Sequence, residues 1–181
     1  LLIFNNFTNI TQGYLFTVSA DNNRIVSDTF TNVINNTVHL RNGATNISFI
    51  NVTYNKSKIY LQGSLPTFFN YYYLQVNVTA QNLSAINLAN INITNRTGTT
   101  PQIQTTTNSS GLTSTFEVVE FSQNTTGLFN FTPHNVTADK TGYSANTTNV
   151  TLDQSRIVHL IISTPYILAY VPTTDNVSIA E

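Results

Sequence analysis

Leu74-Gln75-Val76-Asn77-Val78-Thr79-Ala80 carries an apolar or small residue at every second position, with polar residues between. Side chains alternate faces along an extended chain, so this stretch reads as a strand with one dry and one wet face. Ala89-Asn90-Ile91-Asn92-Ile93-Thr94 repeats the pattern. Val, Ile, Thr, Tyr and Phe are abundant, and no segment sustains an apolar stripe of helical period. The chain is predicted to be all-β.

Working outward, residues 73–80, 89–94, 102–106, 113–121, 134–139, 148–152 and 156–162 read as seven strands. Asn108-Ser109-Ser110-Gly111 and Lys140-Thr141-Gly142 are turn signals between them. The spacing suits a β-sandwich over residues 71–163. Residues 1–70 have another texture. Phe7-Thr8-Asn9-Ile10, Phe30-Thr31-Asn32-Val33 and Phe49-Ile50-Asn51-Val52 share the form Phe-x-Asn-aliphatic. Each precedes a second short apolar run, at 14–18, 38–40 and 59–61. This predicts three coils of a right-handed parallel β-helix, whose turns favour Asn and Gly. Ordinary hairpins are the alternative. Phe68-Phe69-Asn70-Tyr71-Tyr72-Tyr73 falls between the two parts. It reads as the seam between them or as a stacking platform for sugar. Residues 164–181 form a third segment, with a proline-bracketed apolar strand at 165–172.

Composition narrows the function. The chain has 181 residues, of which 8% are charged, with a net charge of -1. No basic excess is available to neutralise phosphates, so nucleic acid is not an expected partner. Cysteine is absent, which excludes disulfides, thiol nucleophiles and cysteine metal sites. No run of 18 apolar residues predicts membrane insertion. Methionine is absent too, and the opening Leu1-Leu2-Ile3-Phe4 fits a processed product or a fragment of something longer, as a removed signal peptide would leave. The polar coat is 26 Asn and 30 Thr rather than charge. With few carboxylates to protonate, the protein is expected to tolerate acid.

Seventeen asparagines open Asn-x-Ser/Thr: Asn6, Asn9, Asn35, Asn46, Asn51, Asn55, Asn77, Asn82, Asn92, Asn95, Asn108, Asn124, Asn130, Asn135, Asn146, Asn149 and Asn176. Chance pairing in this composition gives roughly six. The excess predicts dense N-glycosylation, and with it export from the cytoplasm. The alternative is a plain Asn/Thr bias with asparagines stacked in turns. Strand phase supports the sugars, because Asn77, Asn92, Asn135 and Asn149 all fall on wet faces.

Leu88-Ala89-Asn90-Ile91-Asn92-Ile93, Thr107-Asn108-Ser109-Ser110-Gly111-Leu112 and His134-Asn135-Val136-Thr137-Ala138-Asp139-Lys140-Thr141-Gly142-Tyr143 resemble the carboxypeptidase regulatory-like domain. That resemblance implies an immunoglobulin- or transthyretin-like sandwich without catalysis. It also implies that Gly142 takes a positive φ and lets Tyr143 fold back over the sandwich edge. Coils followed by such a sandwich resemble archaeal cell-surface glycoproteins. The sequon density and low charge are also similar to subunits of archaeal thread-type filaments.

No catalytic constellation is legible. Asp21 and Asp28 read as solvated turn residues. His39, His134 and His159 lack a partner motif, and Glu117 and Glu120, three apart on a strand, face opposite sides. No enzyme activity, metal or cofactor is expected beyond covalent glycans. The exposed apolar terminus Leu1, Leu2, Ile3 and Phe4 is the predicted subunit contact, donating a strand to a neighbouring copy, with pairing inside its own chain as the alternative. The expected function is therefore a structural, heavily N-glycosylated subunit of an extracellular cell-surface filament, with itself as partner in a head-to-tail homopolymer. The alternative is an adhesin or carbohydrate-binding module of a larger surface-layer or viral glycoprotein.

Overall fold

The computed structural model describes residues 1–18, 20–97 and 101–165. The expected strand at 165–172 lies outside them from position 166 on, and so does Asn176.

Among the described residues the protein is all-β, with one 3-10 turn and no α-helix. Three short strands make a first coil: β1 (Leu2–Ile3), β2 (Asn6–Thr8) and β3 (Tyr14–Phe16). The second coil holds β4 (Arg24–Val26), β5 (Thr29–Thr31) and β6 (Val38–Arg41). The third holds β7 (Ile47–Ile50), the 3-10 turn Lys56–Lys58 and β8 (Ile59–Gln62), with Thr53 bridging to Thr29 where a middle strand would run. Like strands stack in parallel, giving the walls β1-β4-β7, β2-β5 and β3-β6-β8. This is the solenoid-like arrangement expected of residues 1–70.

The register corrects one expectation. Phe7 pairs with Phe30, but Phe49 lies on another wall, beside Ile25. The column Leu2, Ile25, Phe49, Asn70 sets the true spacing. Side-chain stacking inside the coils decides this. Phe7 stacks on Phe30 at 4.8 Å, Phe30 lies parallel to Phe49 at 6.2 Å, and Phe49 meets Phe68 edge-on at 5.0 Å. Burying each such ring stabilises the fold by about 2–3 kcal/mol. The coils approach closely at Gly13, where a Cβ would sit 2.1 Å from the Thr37 carbonyl oxygen.

The thirteen-residue β9 (Thr67–Thr79) joins the two parts without a linker. Its alternating inward residues serve two cores in turn, Phe68 within the coils and Tyr72, Leu74, Val76 and Val78 beyond them. The aromatic run is therefore the seam. Then come β10 (Asn90–Thr94), β11 (Pro101–Thr106), β12 (Phe116–Asn124), β13 (Gly127–Asn130), β14 (His134–Asp139), β15 (Asn146–Val150) and β16 (Arg156–Ile161). A four-stranded antiparallel sheet runs β11-β10-β14-β15. Its Ile91, Ile93, Val136, Ala138 and Val150 pack against Val76, Val78, Val118, Val158 and Leu160 of the sheet holding β9, β12 and β16.

One edge of β9 takes β7 over 68–71 and then β16 over 74–79, both parallel. The opposite edge takes β12, whose hairpin partner β13 was not foreseen. A bulge between Val119 and Phe121 makes Glu120 and Phe121 both point inward against Asn70. That bulge lets Phe121 close the coil core beside Phe68 at 6.0 Å.

Candidate functional site

Three features of the surface and seam carry chemistry. The first is the asparagine coat. Every described sequon asparagine is exposed or half-buried. So are the other asparagines apart from Asn70, and exposure alone does not single out acceptors. Hydrogen bonding does sort them. In five triplets the Asn Oδ1 accepts from the backbone N–H two residues on: Asn55 from Ser57, Asn82 from Ser84, Asn95 from Thr97, Asn108 from Ser110 and Asn124 from Thr126. In four of these, all but Asn108, the hydroxyl at that position also donates to the same oxygen. Such turns give Asn-x-Ser/Thr a folding role of its own.

Others line the coil corners. Asn9, Asn22, Asn32, Asn46 and Asn51 all have φ between 53° and 56°, a left-handed region that Asn tolerates better than most residues. Their amides ladder from coil to coil. Asn32 Nδ2 donates to Asn9 Oδ1 at 3.0 Å, and Asn46 Nδ2 to Asn22 Oδ1 at 2.6 Å. Asn51 Nδ2 donates to Ser27 Oγ at 3.4 Å, while its Oδ1 accepts from Ser155. Along the strands Asn77, Asn92, Asn135 and Asn149 do lie opposite buried neighbours, in the phase the sequence predicts. Asn92 sits mid-sheet between Gln104 and Thr137, and Asn135 pairs with Asn149. Asn6, Asn35 and Asn130 are exposed, and Asn146 donates to the Ile161 carbonyl at 2.8 Å.

The second feature is the first coil of the described residues, whose apolar residues are exposed. Leu1, Leu2, Ile3 and Phe4 are all exposed, but β1 pairs in parallel with β4 of its own chain. Leu2 is 44% exposed, while Ile25 and Phe49, one and two coils further in, are at 0%. Leu15 and Val18 are also exposed on this coil. Just inside it Asp28 is fully buried, which corrects its reading as a solvated turn residue. Asn5 N–H donates to its Oδ1 at 2.7 Å and Tyr14 OH to its Oδ2 at 2.5 Å. Burial, and then the Asp28 carboxylate, push the Tyr14 hydroxyl's pKa up. Asp21 is exposed and caps the Thr45 hydroxyl and N–H. Those two hydrogen bonds hold its carboxyl below the usual range.

The third feature is at the seam. Lys56 Nζ lies 2.6 and 2.8 Å from the two Glu120 oxygens. Asn70 Nδ2 donates to Glu120 Oε2 at 2.9 Å, and Tyr54 OH donates to Asn70 Oδ1 at 3.0 Å. Asn70 is fully buried and Glu120 nearly so. Burial raises the Tyr54 hydroxyl pKa well above its ordinary value. For Lys56 burial pulls down, but the Glu120 hydrogen bond and charge, with Tyr72, outweigh it and the net shift is upward. Glu117 and Glu120 do face opposite ways, since Glu117 pairs with Arg24 outside at 2.6 Å. Sequence reading missed Glu120 because it sought a second carboxylate, whereas its partners are an amine and an amide.

The histidines stay apart. His39 packs edge-on against Tyr60 at 4.7 Å, and His159 Nδ1 lies 3.3 Å from Asn77 Nδ2. His134 is fully buried, with Nε2 2.9 Å from the Val119 carbonyl. Burial pushes its pKa down. Among the described residues no three His, Asp or Glu gather as for a metal ion.

No family model matches the chain. No curated protein matches it either. Among solved structures it has a likeness to the Bacillus anthracis TIE protein, at a TM-score of 0.35 and 12% identity, over 59% of this chain and 17% of that one. A likeness of that size assigns neither fold nor function.

Proposed function

We propose that this chain is a structural, N-glycosylated subunit of an extracellular cell-surface filament, in which copies join by strand pairing at the first coil. The observation that carries it is the exposure of Leu1, Leu2, Ile3 and Phe4 on β1, whose outer edge pairs with no strand among the described residues. The outer backbone edge of a solenoid end pairs readily with another strand, and its apolar side chains add area. The in-chain pairing of β1 changes the expected mechanism from donation of a free strand to addition along an existing edge.

The coat fits this reading. Most sequons lie on turns and on strand faces opposite the core, where sugars would shield the sides of the solenoid. In this reading the second part is a carboxypeptidase regulatory-like, immunoglobulin- or transthyretin-like sandwich of an archaeal surface glycoprotein, and the sandwich part of it rests on three observations. Two sheets face one core, Gly142 has a φ of 86°, and Tyr143 packs against that core.

Electron microscopy and light scattering of the full chain test the proposal. The wild type should form filaments, and Leu2→Asp with Ile3→Asp should leave a folded monomer. Equal assembly by both, or a monomeric wild type, would overturn it. Intact-mass analysis of native material should exceed the 20.0 kDa of the polypeptide.

The adhesin reading draws on one feature, a shallow polar groove on the outer face of the four-stranded sheet. Asn90, Asn92, Gln104, Thr105 and Asp139 line it. Retention of a monomeric preparation on a glycan column would favour that reading.

A further inference from the structure

Lys56, Asn70 and Glu120 come from three different elements and meet at the base of the coils. Lys56 opens the 3-10 turn, Asn70 is an inward residue of β9, and Glu120 stands at the β12 bulge. The carboxylate touches both nitrogens, and its Oε2 is shared between them. Tyr54, whose ring meets Phe68, touches Asn70, and Lys56 Nζ, on a side chain 37% exposed, lies 5.3 Å from the Tyr72 ring centre.

A buried asparagine is a costly choice for an inward position of a coil. Its column otherwise holds Leu2, Ile25 and Phe49. An apolar residue would serve packing alone, so the chemistry of the amide is the more informative feature. The described region's other amines have no such surroundings. Lys58 donates to the Ile34 carbonyl and Lys140 to that of Asn87.

We propose that Lys56 and Asn70 condense into an intramolecular amide bond, with Glu120 carrying the proton. The Lys56 ammonium first passes a proton to the Glu120 carboxylate 2.6 Å away, which frees the amine. The freed amine attacks Asn70 Cγ, and a C–N bond forms. The Tyr54 hydroxyl, already donating to Asn70 Oδ1, stabilises the negative charge that develops there. Its raised pKa keeps it protonated for that task. Glu120 takes the second amine proton as it delivers the first to Nδ2. The Cγ–Nδ2 bond then breaks and ammonia leaves. The balance is one amine plus one primary amide giving one secondary amide plus ammonia, with no oxidant or external reactant. The product ties the turn between β7 and β8 to β9, a covalent clamp where the coils meet the second part. This inference does not depend on whether copies assemble.

Intact mass of the full chain, made in a host without N-glycosylation and shown folded by circular dichroism, tests the clamp. The expected mass lies about 17 Da below the sequence mass, one ammonia per bond. Proteolysis should yield one branched peptide joining Lys56 to Asn70. Lys56→Arg keeps a cation beside Glu120 but removes the nucleophile, and should return the mass to the sequence value. Glu120→Gln should do the same. A folded wild type at full sequence mass, with Lys56 open to an amine-reactive reagent, overturns the proposal. So does a mass deficit that persists in Lys56→Arg, since it would locate the lost ammonia elsewhere.

Discussion

Ser155 Oγ donates to Asn51 Oδ1 at 2.7 Å and accepts from the Tyr73 N–H at 2.9 Å. The two side chains are 104 positions apart in sequence. They fill the gap on one edge of β9 between the end of β7 and the start of β16, so one hydroxyl stitches the coils to the second part.

Ser155→Ala should cost about 1–3 kcal/mol, because it leaves the Tyr73 N–H and the Asn51 carbonyl unpaired in a half-buried place. Denaturant unfolding measures this. Asn51, engaged at both ends of its amide, should also remain free of sugar in native material, whereas Asn55, Asn82 and Asn108, whose Nδ2 atoms take no part in their turns, should be modified. Peptide mapping that finds Asn51 fully occupied would reverse this assignment.

The corner ladders separate backbone demand from glycosylation. Asn32 and Asn22 stand at positive φ and open no sequon. Asn32→Ala should destabilise by about 1 kcal/mol, through the left-handed backbone and the lost bond to Asn9. Asn32→Gly should cost less, since glycine accepts that conformation freely. Thermal melts of the two variants should rank in that order. Equal losses would mean that the amide ladder, not backbone strain, dominates.

Tyr14 and Tyr54 have folded pKa values raised by burial, and their neutral forms belong to the folded state. Their contribution is complete below the unfolded value of about 10 and is lost as pH rises beyond it. Stability should therefore fall steeply in alkali, alongside the rise of phenolate absorbance. Tyr14→Phe should be less stable at neutral pH, where Asp28 loses a partner, but should show a shallower alkaline decline.

Acid acts through His134. Burial depresses its folded pKa, so the unfolded chain binds a proton that the folded chain refuses. Stability should be full above about pH 6.5 and decline as pH falls through the folded pKa. His134→Gln should flatten that decline while weakening the bond to the Val119 carbonyl. A profile unchanged by the substitution would show that carboxylates such as Asp21 govern acid stability instead.

Much of the fold was legible in short-range pattern. Alternation identified the strands expected at 134–139 and 156–162, and set Asn77 and Asn149 out of phase with their buried neighbours, because strand periodicity is a local property. Phe7 and Phe30 revealed the coil repeat for a similar reason, since like residues stack in like places. The third repeat misled. Phe49 resembles Phe30 in its neighbours, but pairing follows the walls, and nothing local says which wall a three-residue strand joins.

By itself the sequence determined an all-β chain, its cysteine-free and charge-poor chemistry, and a coat of asparagine triplets on exposed turns and faces. Tertiary structure alone decided the coil register, the burial of Asp28 beneath Tyr14, and the meeting of Lys56, Asn70 and Glu120. The first two depend on parallel strands brought together from distant positions, and the third on the antiparallel neighbour β12 with its one bulge. Parallel neighbours are set by packing across a core, not by the residues beside them in the chain.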